Sequence, residues 1–443
     1  MWGLTGVWDV HDRADGDVIK PNERLPWPKT IAVGMQHVLA MFGATALVPV
    51  LTGFPVTTTI FFSGIGTLLF LVISRNRVPS YVGSSFAFIA PVIAAKAHGG
   101  IPAALGGILC AGAAIFVVGL IVDRIGFKAI EFLMPPVVTG AIVGLIGLNL
   151  APVAKDDFSR QAGIAMVTLV VILVIGALGK GFVSRVSVFI GIAVGYVVAA
   201  IAGKVDFTAV KHAAWVGLPH FTSPTFGVRA ILLIVPAVLV VLLAENAGHV
   251  KAVGAMTGDD LDPYIGKSFM GDGVATMIAG AGGGSGTTTY AENIGVMAVT
   301  RVYSTAAYLV AGLTAIGLGL FPKFGALINT IPIGVIGGAV TVLFGLIAAL
   351  GPRIWIENRV DFRDPVNLTT AAVSLIIGSA NYTLNVGDYS FAGISLGALA
   401  AIVIYQVLRR IHPLEEKPKP GVGFGDQLVE GASQLGQEAA AHP

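Results

Sequence analysis

Apolar runs of about twenty residues, separated by short polar stretches, recur from Thr30 to Arg409. A run of that length wound as an α-helix matches the ~30 Å hydrocarbon core of a bilayer. Fourteen candidate spans can be marked, at 30–51, 57–74, 79–95, 101–122, 129–151, 162–178, 183–202, 230–249, 265–281, 287–299, 302–322, 330–350, 366–380 and 390–408. The pattern predicts an all-α integral membrane protein. Residues 1–29 mix acidic and basic positions with no apolar stretch, so they read as a cytoplasmic N-terminal segment and not as a cleaved signal. From Glu415 onward the chain is rich in Pro, Gly, Gln, Glu and Ala, and 413–443 is expected to form a flexible cytoplasmic tail.

Two spans depart from the regular pattern. The third opens on Pro79-Ser80-Tyr81-Val82-Gly83-Ser84-Ser85, and the tenth follows Gly280-Ala281-Gly282-Gly283-Gly284-Ser285-Gly286-Thr287-Thr288-Thr289. Each predicts a short extended segment followed by a short helix, an arrangement tolerated at membrane depth only where it is buried in protein or lines a cavity. The two breaks lie seven spans apart, and an odd offset reverses the direction of entry. The chain is therefore expected to hold two inverted repeats of seven spans, with broken third and tenth helices and a site between them.

Composition agrees with this picture. Of 443 residues 55% are hydrophobic and only 12% charged, and the 58 glycines are spread through the apolar runs, which suits close helix packing. With the N-terminus inside, 20 of the 27 basic residues fall on the inner side and 7 on the outer. The positive-inside rule then puts both termini in the cytoplasm of a multi-pass protein of the inner or plasma membrane. A net charge of +2 gives no reason to expect a nucleic-acid partner, and one cysteine, Cys110, allows no disulfide within the chain. The sequence has no Walker A pattern for direct ATP coupling and no cluster of nucleophile and base or of metal ligands. The expectation is a transporter without a cofactor, not an enzyme.

Ionisable groups inside spans are costly, so each is a functional candidate by default. Glu245 ends a long apolar run, Glu292 lies just after the glycine-rich break, His37 is in the first span, and His249 follows Glu245 by one turn. Two carboxylates at opposed half-helices suit a small uncharged ring with N–H donors, while the amides that open the broken helices can donate to ring carbonyls. The bland alternatives are a Glu245–His249 pair, Glu292 as a helix cap, and His37 bonded to a neighbouring carbonyl. Asp272 and Asp388 fall near span ends, where a carboxylate reaches water, and His98 is placed in a solvated outer loop. Phe86 and Phe88 follow the first break and either stack on a planar ligand or fill core.

The run Glu292-Asn293-Ile294-Gly295-Val296-Met297-Ala298-Val299-Thr300-Arg301 resembles the signature of the nucleobase–ascorbate transporter (nucleobase:cation symporter-2) family, and its Glu-Asn-Ile-Gly start is similar to the uracil permease branch. Gln36-His37 with Met41-Phe42-Gly43-Ala44-Thr45, Gly83-Ser84-Ser85-Phe86-Ala87-Phe88, and Glu245 with Gly248-His249 extend the resemblance over about residues 29–412. The resemblance implies a core domain of spans 1–4 and 8–11 (30–122 and 230–322) and a gate domain of spans 5–7 and 12–14 (129–202 and 330–412). It implies import of uracil with a proton by sliding of core against gate, in a homodimer surrounded by membrane lipid. Carried over by motif, Glu245, Glu292, Phe86, Ala291, Tyr290 and Ala44 would bind the pyrimidine, and His249, Glu292 and His37 would serve proton coupling. Ala291 stands where the branch has glycine, and Phe344, on the gate side, stands where a related permease has tyrosine. A purine or xanthine symporter of the same family and an anion exchanger of the same fold are the alternatives.

Overall fold

The structure, a computed structural model, describes residues 8–11, 18–386 and 389–412; Asp388 and the segment 413–443 lie outside the described residues. Helices dominate. In chain order they are α1 (Trp27–Thr52), α2 (Val56–Ile73), α3 (Ile89–Ile125), α4 (Lys128–Leu133), α5 (Pro136–Arg160), α6 (Ala162–Leu178), α7 (Phe182–Arg185), α8 (Ser187–Ile201), α9 (Thr208–His212), α10 (Val228–Thr257), α11 (Ile265–Gly282), α12 (Ala291–Thr300), α13 (Thr305–Gly319), α14 (Pro322–Asn329), α15 (Ile333–Glu357), α16 (Pro365–Ser379) and α17 (Ile394–Ile411). Six short strands form three two-stranded pairs: β1 (Asp9–Val10) with β2 (Glu23–Arg24), β3 (Val82–Ser84) with β4 (Thr287–Thr289), and β5 (Thr383–Val386) with β6 (Tyr389–Ala392).

Among the described residues, seven helices are long and apolar enough to cross a bilayer, and an eighth span results if α13 and α14, bent by 82° at their junction, are counted as one. The shorter apolar helices α6, α8 and α16 occupy three more of the expected spans. The third and fourth expected spans meet as one helix, α3, broken at Gly99 and Gly100, where Gly100 takes φ +70 and so leaves the helical region. Lys96 and His98 precede that break, and His98 is exposed. The short helices α4, α7, α9 and α14 were not apparent from hydropathy, since four to eight residues are too few to register in a twenty-residue pattern.

The helices pack in two groups. One contains α1, α2, α3, α10, α11 and α13, with α3 lying along both α10 and α11 and α2 along α13; the other contains α5, α6, α8, α15, α16 and α17, with α5 along α15. Between apolar helices in lipid, close backbone approach replaces the hydrophobic drive available in water. Glycines supply it at both seams. A Cβ at Gly112 of α3 would stand 2.7 Å from the carbonyl oxygen of Gly273 in α11, and one at Gly140 of α5 would stand 2.8 Å from that of Gly351 in α15.

The N-terminal segment, read from its sequence as a cytoplasmic stretch without an apolar run, is partly built into the fold. Ile19 and Leu25 are buried with Val33, Val302 and Ala307.

Gly112→Val should push α3 from α11 and lower stability by roughly 1–3 kcal/mol. Gly163→Val, where an added Cβ meets nothing within 4 Å, should leave the melting midpoint in detergent nearly unchanged. Equal midpoints for the two variants would show that the seam tolerates separation.

Candidate functional site

The site is organised by the ladder of β3 and β4, which pair antiparallel with Val82 opposite Thr289, Gly83 opposite Thr288 and Ser84 opposite Thr287. Ser85 N extends it, donating to Gly286 O at 3.0 Å. All six strand residues are buried. Each free edge is met at one amide: Val82 N donates to Thr67 Oγ1 of α2 at 3.0 Å, and Thr287 N donates to Thr276 Oγ1 of α11 at 3.1 Å. Because the strands run antiparallel, the helices that follow them leave from opposite ends of the ladder. One begins with the 3-10 turn Phe86–Phe88, capped by Ser85 Oγ, and continues as α3; the other is α12, which opens at Ala291 without a side-chain cap. Helix starts carry unpaired amides and the positive end of the helix dipole, so two donor-rich ends flank the ladder.

Tyr290 locks the ladder to α1. Its hydroxyl donates to Ser84 O at 2.8 Å and accepts from Thr45 Oγ1 at 2.9 Å, one residue from the buried Ala44. Gly83 makes room for it, since a Cβ there would lie 2.7 Å from the Tyr290 hydroxyl.

Glu245, on α10, lies within electrostatic reach of Glu292, in the first turn of α12, and of Asp272. Thr288 lies beside Glu245, and the Glu292 carboxylate sits against its own backbone amide. The ion pairs among the described residues all lie elsewhere, so the site holds carboxylates with no basic side chain bonded to them. Glu292 lies in the first turn of α12 but supplies no side-chain cap, and in place of the alternative Glu245–His249 pair the histidine makes another contact. His249 Nδ1 bonds Thr289 Oγ1 at 2.8 Å.

That contact begins a directional chain. Thr289 Oγ1 donates to Asn246 Oδ1, and Asn246 Nδ2 donates to Asp272 Oδ2 at 2.8 Å. With the threonine proton committed, His249 Nδ1 is the donor to Thr289, which fixes the tautomer. The second oxygen, Asp272 Oδ1, accepts from Thr287 Oγ1 at 3.0 Å. Asp272 is thus fully buried, not at a wet span end, because α11 is covered by α2, α3 and the ladder.

His37 stands behind α12. Asn293 Nδ2 reaches both His37 Nδ1 at 3.0 Å and His37 O at 3.1 Å, and the imidazole lies 4.3 Å from the Tyr308 ring. Nδ1 accepts here, so Nε2 carries the proton of a neutral ring.

Phe86 and Phe344 meet edge to face with centroids 5.7 Å apart, across the two helix groups. Phe344 also lines a cavity of about 430 Å³ with Gly147, Lys155, Leu169 and Ala348, on the side of α5, α6 and α15. Phe88 fills core, its ring against Gly286.

The structure therefore gathers Glu245, Glu292, Tyr290, His249, Phe86 and Ala291 around the ladder, and sets His37 one residue behind it. Sequence reasoning passed over Thr45, Asn246, Thr276, Thr287 and Thr289. Their signal was present as the Thr287-Thr288-Thr289 run after the glycines and as Asn246 beside Glu245, but hydroxyls in helices usually bond their own backbone and so carry little information alone.

Asp272→Ala should strand the Asn246 amide at about 1–3 kcal/mol, while the Thr287 hydroxyl keeps Thr276 Oγ1 as a partner. Asp272→Asn keeps one acceptor and should lose less, read as melting midpoints in detergent. Equal losses would mean that Asp272 does not organise the chain.

Comparison with known proteins adds what geometry alone does not. Residues 28–387 match the family model Xan_ur_permease, described as "Permease family". The chain is 49% identical over 424 residues to the protein called "Putative pyrimidine permease RutG" of Escherichia coli (strain K12), covering 92% of this chain and 95% of that one. It is 40% identical over 403 residues to the "Uracil permease" of Paenibacillus larvae, covering 87% and 96%. Among solved structures, SLC26A9 aligns with TM-score 0.63 at 12% identity over 87% of this chain and 65% of its own, and the transmembrane domain of the cyanobacterial bicarbonate transporter BicA with 0.58 at 13% over 86% and 97%. At that identity the likeness is one of fold. A mostly helical multi-pass chain with a buried ladder between two broken helices, matched along this length, is a transporter rather than an enzyme, and it belongs to the xanthine/uracil permease family, nucleobase:cation symporter-2.

Proposed function

We propose that the protein imports uracil together with a proton by elevator-type alternating access. The observation that carries this reading is the pair of carboxylates, Glu245 and Glu292, beside a ladder whose two ends open helices. Uracil is uncharged and planar, with ring N–H donors and two carbonyl acceptors. Glu245 and Glu292 accept from the ring N–H groups, the amides at Phe86 and Ala291 donate to the carbonyls, and Tyr290 and Ala44 shape the wall. The relatives named for uracil and pyrimidine transport support this substrate. An anion substrate, as handled by the fold neighbours, is opposed by an acidic site without a bonded basic group.

In this reading, fourteen spans form two inverted repeats. Support comes from equivalent contacts seven spans apart: Thr67 of α2 serves the free edge of β3 as Thr276 of α11 serves that of β4, and α2 packs on α13 as α11 packs on the second part of α3. The core domain comprises 30–122 and 230–322, and the gate domain 129–202 and 330–412. Phe86 against Phe344 is then a contact between them. Proton coupling is assigned to His249 and Glu292, with His37 behind. The protein works as a homodimer in the cell membrane with both termini cytoplasmic.

Uptake into proteoliposomes should be driven by an inward proton gradient and should respond to unlabelled uracil more than to xanthine. Stronger competition by xanthine would assign the protein to the purine branch. Glu245→Gln replaces an all-acceptor group with one that must donate, and should weaken uracil binding roughly ten- to a hundredfold.

If protonation favours uracil, linkage makes uracil favour protonation by the same factor, so affinity should fall as pH rises. His249→Ala and Glu292→Gln should each flatten that slope. Uptake driven by sodium at equal pH, with binding indifferent to pH, would sink proton coupling.

A further inference from the structure

We infer that the N-terminal segment is a strap that positions the half-helix carrying Glu292. Ile19 N donates to Arg301 O at 3.0 Å and Tyr303 N donates to Ile19 O at 2.8 Å, so the strap forms a parallel bridge at Val302, in the link between α12 and α13. Thr305, the first residue of α13, is held by three hydrogen bonds with two residues of the strap. Its amide and its hydroxyl both donate to Pro21 O, at 3.1 and 2.8 Å, and its hydroxyl accepts from Trp8 Nε1 at 2.7 Å. Trp8, Ile19 and Leu25 are 8%, 0% and 4% exposed, which is core burial in a segment without an apolar run. Lys20 adds an ion pair with Asp259 at 3.5 Å, tying the strap to the turn after α10. The pairing of β1 with β2 holds the Trp8 stretch alongside residues 22–24.

The consequence concerns α12. It has ten residues, and a helix that short is not stable by itself. β4 fixes its first residue, but its last leads into Arg301, a non-glycine residue at φ +53, and then directly into the link gripped by the strap. Val296 and Met297 are buried, but Ala298 and Val299 on its last turn are exposed, so neighbouring helices cover only one side of that end. The strap joins this end to α1 and α13 through the Ile19–Leu25–Val33–Val302–Ala307 cluster, and to the end of α10 through Asp259. Trp8, Ile19 and Pro21 touch no group of the site; they act through the placement of α12, and so through Glu292.

The test uses the full chain in detergent and two readouts, only the second of which rests on the uracil reading. In Ile19→Asp and Trp8→Ala, hydrogen exchange of the α12 amides should quicken about tenfold while that of β4 and α10 stays as in the unaltered protein. Uracil affinity should fall about three- to tenfold, the size expected of a displaced hydrogen-bonding group. Ile19→Val, which keeps the buried contact, should match the unaltered protein in both. Unchanged α12 exchange in both strap variants overturns the inference, as does exchange that rises equally throughout, or looser α12 with unaltered affinity. Failure of the unaltered protein to bind uracil removes the substrate reading, while the exchange arm still decides the strap.

Discussion

Backbone that leaves the helix inside a bilayer must find every hydrogen bond within the protein, since no water is there to supply one. The β3–β4 ladder is the answer to that constraint, and the surrounding residues follow from it. A two-stranded ladder satisfies only its inner edges. Thr67 and Thr276 serve the outer ones, which explains why hydroxyls sit at those points of otherwise apolar helices. Gly83 and Gly286 are small because aromatic rings, Tyr290 and Phe88, close over the same strands. The helices start only after the ladder, so the amides of Phe86 and Ala291 stand at helix openings.

The polar network has a direction as well as a place. From His249 through Thr289 and Asn246 every proton points toward Asp272, which accepts with both oxygens. An imidazole whose Nδ1 is committed in this way presents Nε2 as its acceptor. His37 has the opposite assignment, with Nδ1 accepting from Asn293, so the two histidines that sequence alone treats alike differ in which nitrogen holds the proton. A buried acid without a cationic partner costs free energy unless donors surround it. Asn246 and Thr287 supply those donors for Asp272, and among the described residues no comparable side-chain pair serves Glu245.

Much of this was legible in the sequence. Hydropathy marked stretches that apolar helices occupy, though some ends lie well away from those expected, as in α5 at Pro136–Arg160 against 129–151, and the glycine- and serine-rich runs at 79–85 and 280–289 marked the two extended segments. The carboxylates were legible because ionised groups are rare in spans. What was not legible depends on tertiary pairing. Asp272 reads as a span-end residue until α11 is seen to be covered, and the threonines look like ordinary helix residues until the strand edges reach them. Residues 8–25 carry charges at Asp9, Lys20, Glu23 and Arg24, and those mask the spacing of Trp8, Ile19 and Leu25, which are the positions that become buried.

The half-helices also explain why so much of the chain outside the spans is ordered against the site. A long helix in lipid is held along its whole length, but α12 is short: Asn293 ties it to His37 of α1, and its two ends are controlled by segments far apart in sequence. At one end is the ladder to β3. At the other is a link whose amides and carbonyls are taken by residues 19–21, while midway along α12 a Cβ on Gly295 would sit 3.5 Å from the Arg185 side chain of α7. A short helix between two fixed points transmits a displacement of either end to the residue in its first turn. For Glu292 that means its position is set jointly by the paired break and by whatever grips the α12–α13 link, so the chain N-terminal to the first span is part of the apparatus that shapes the site.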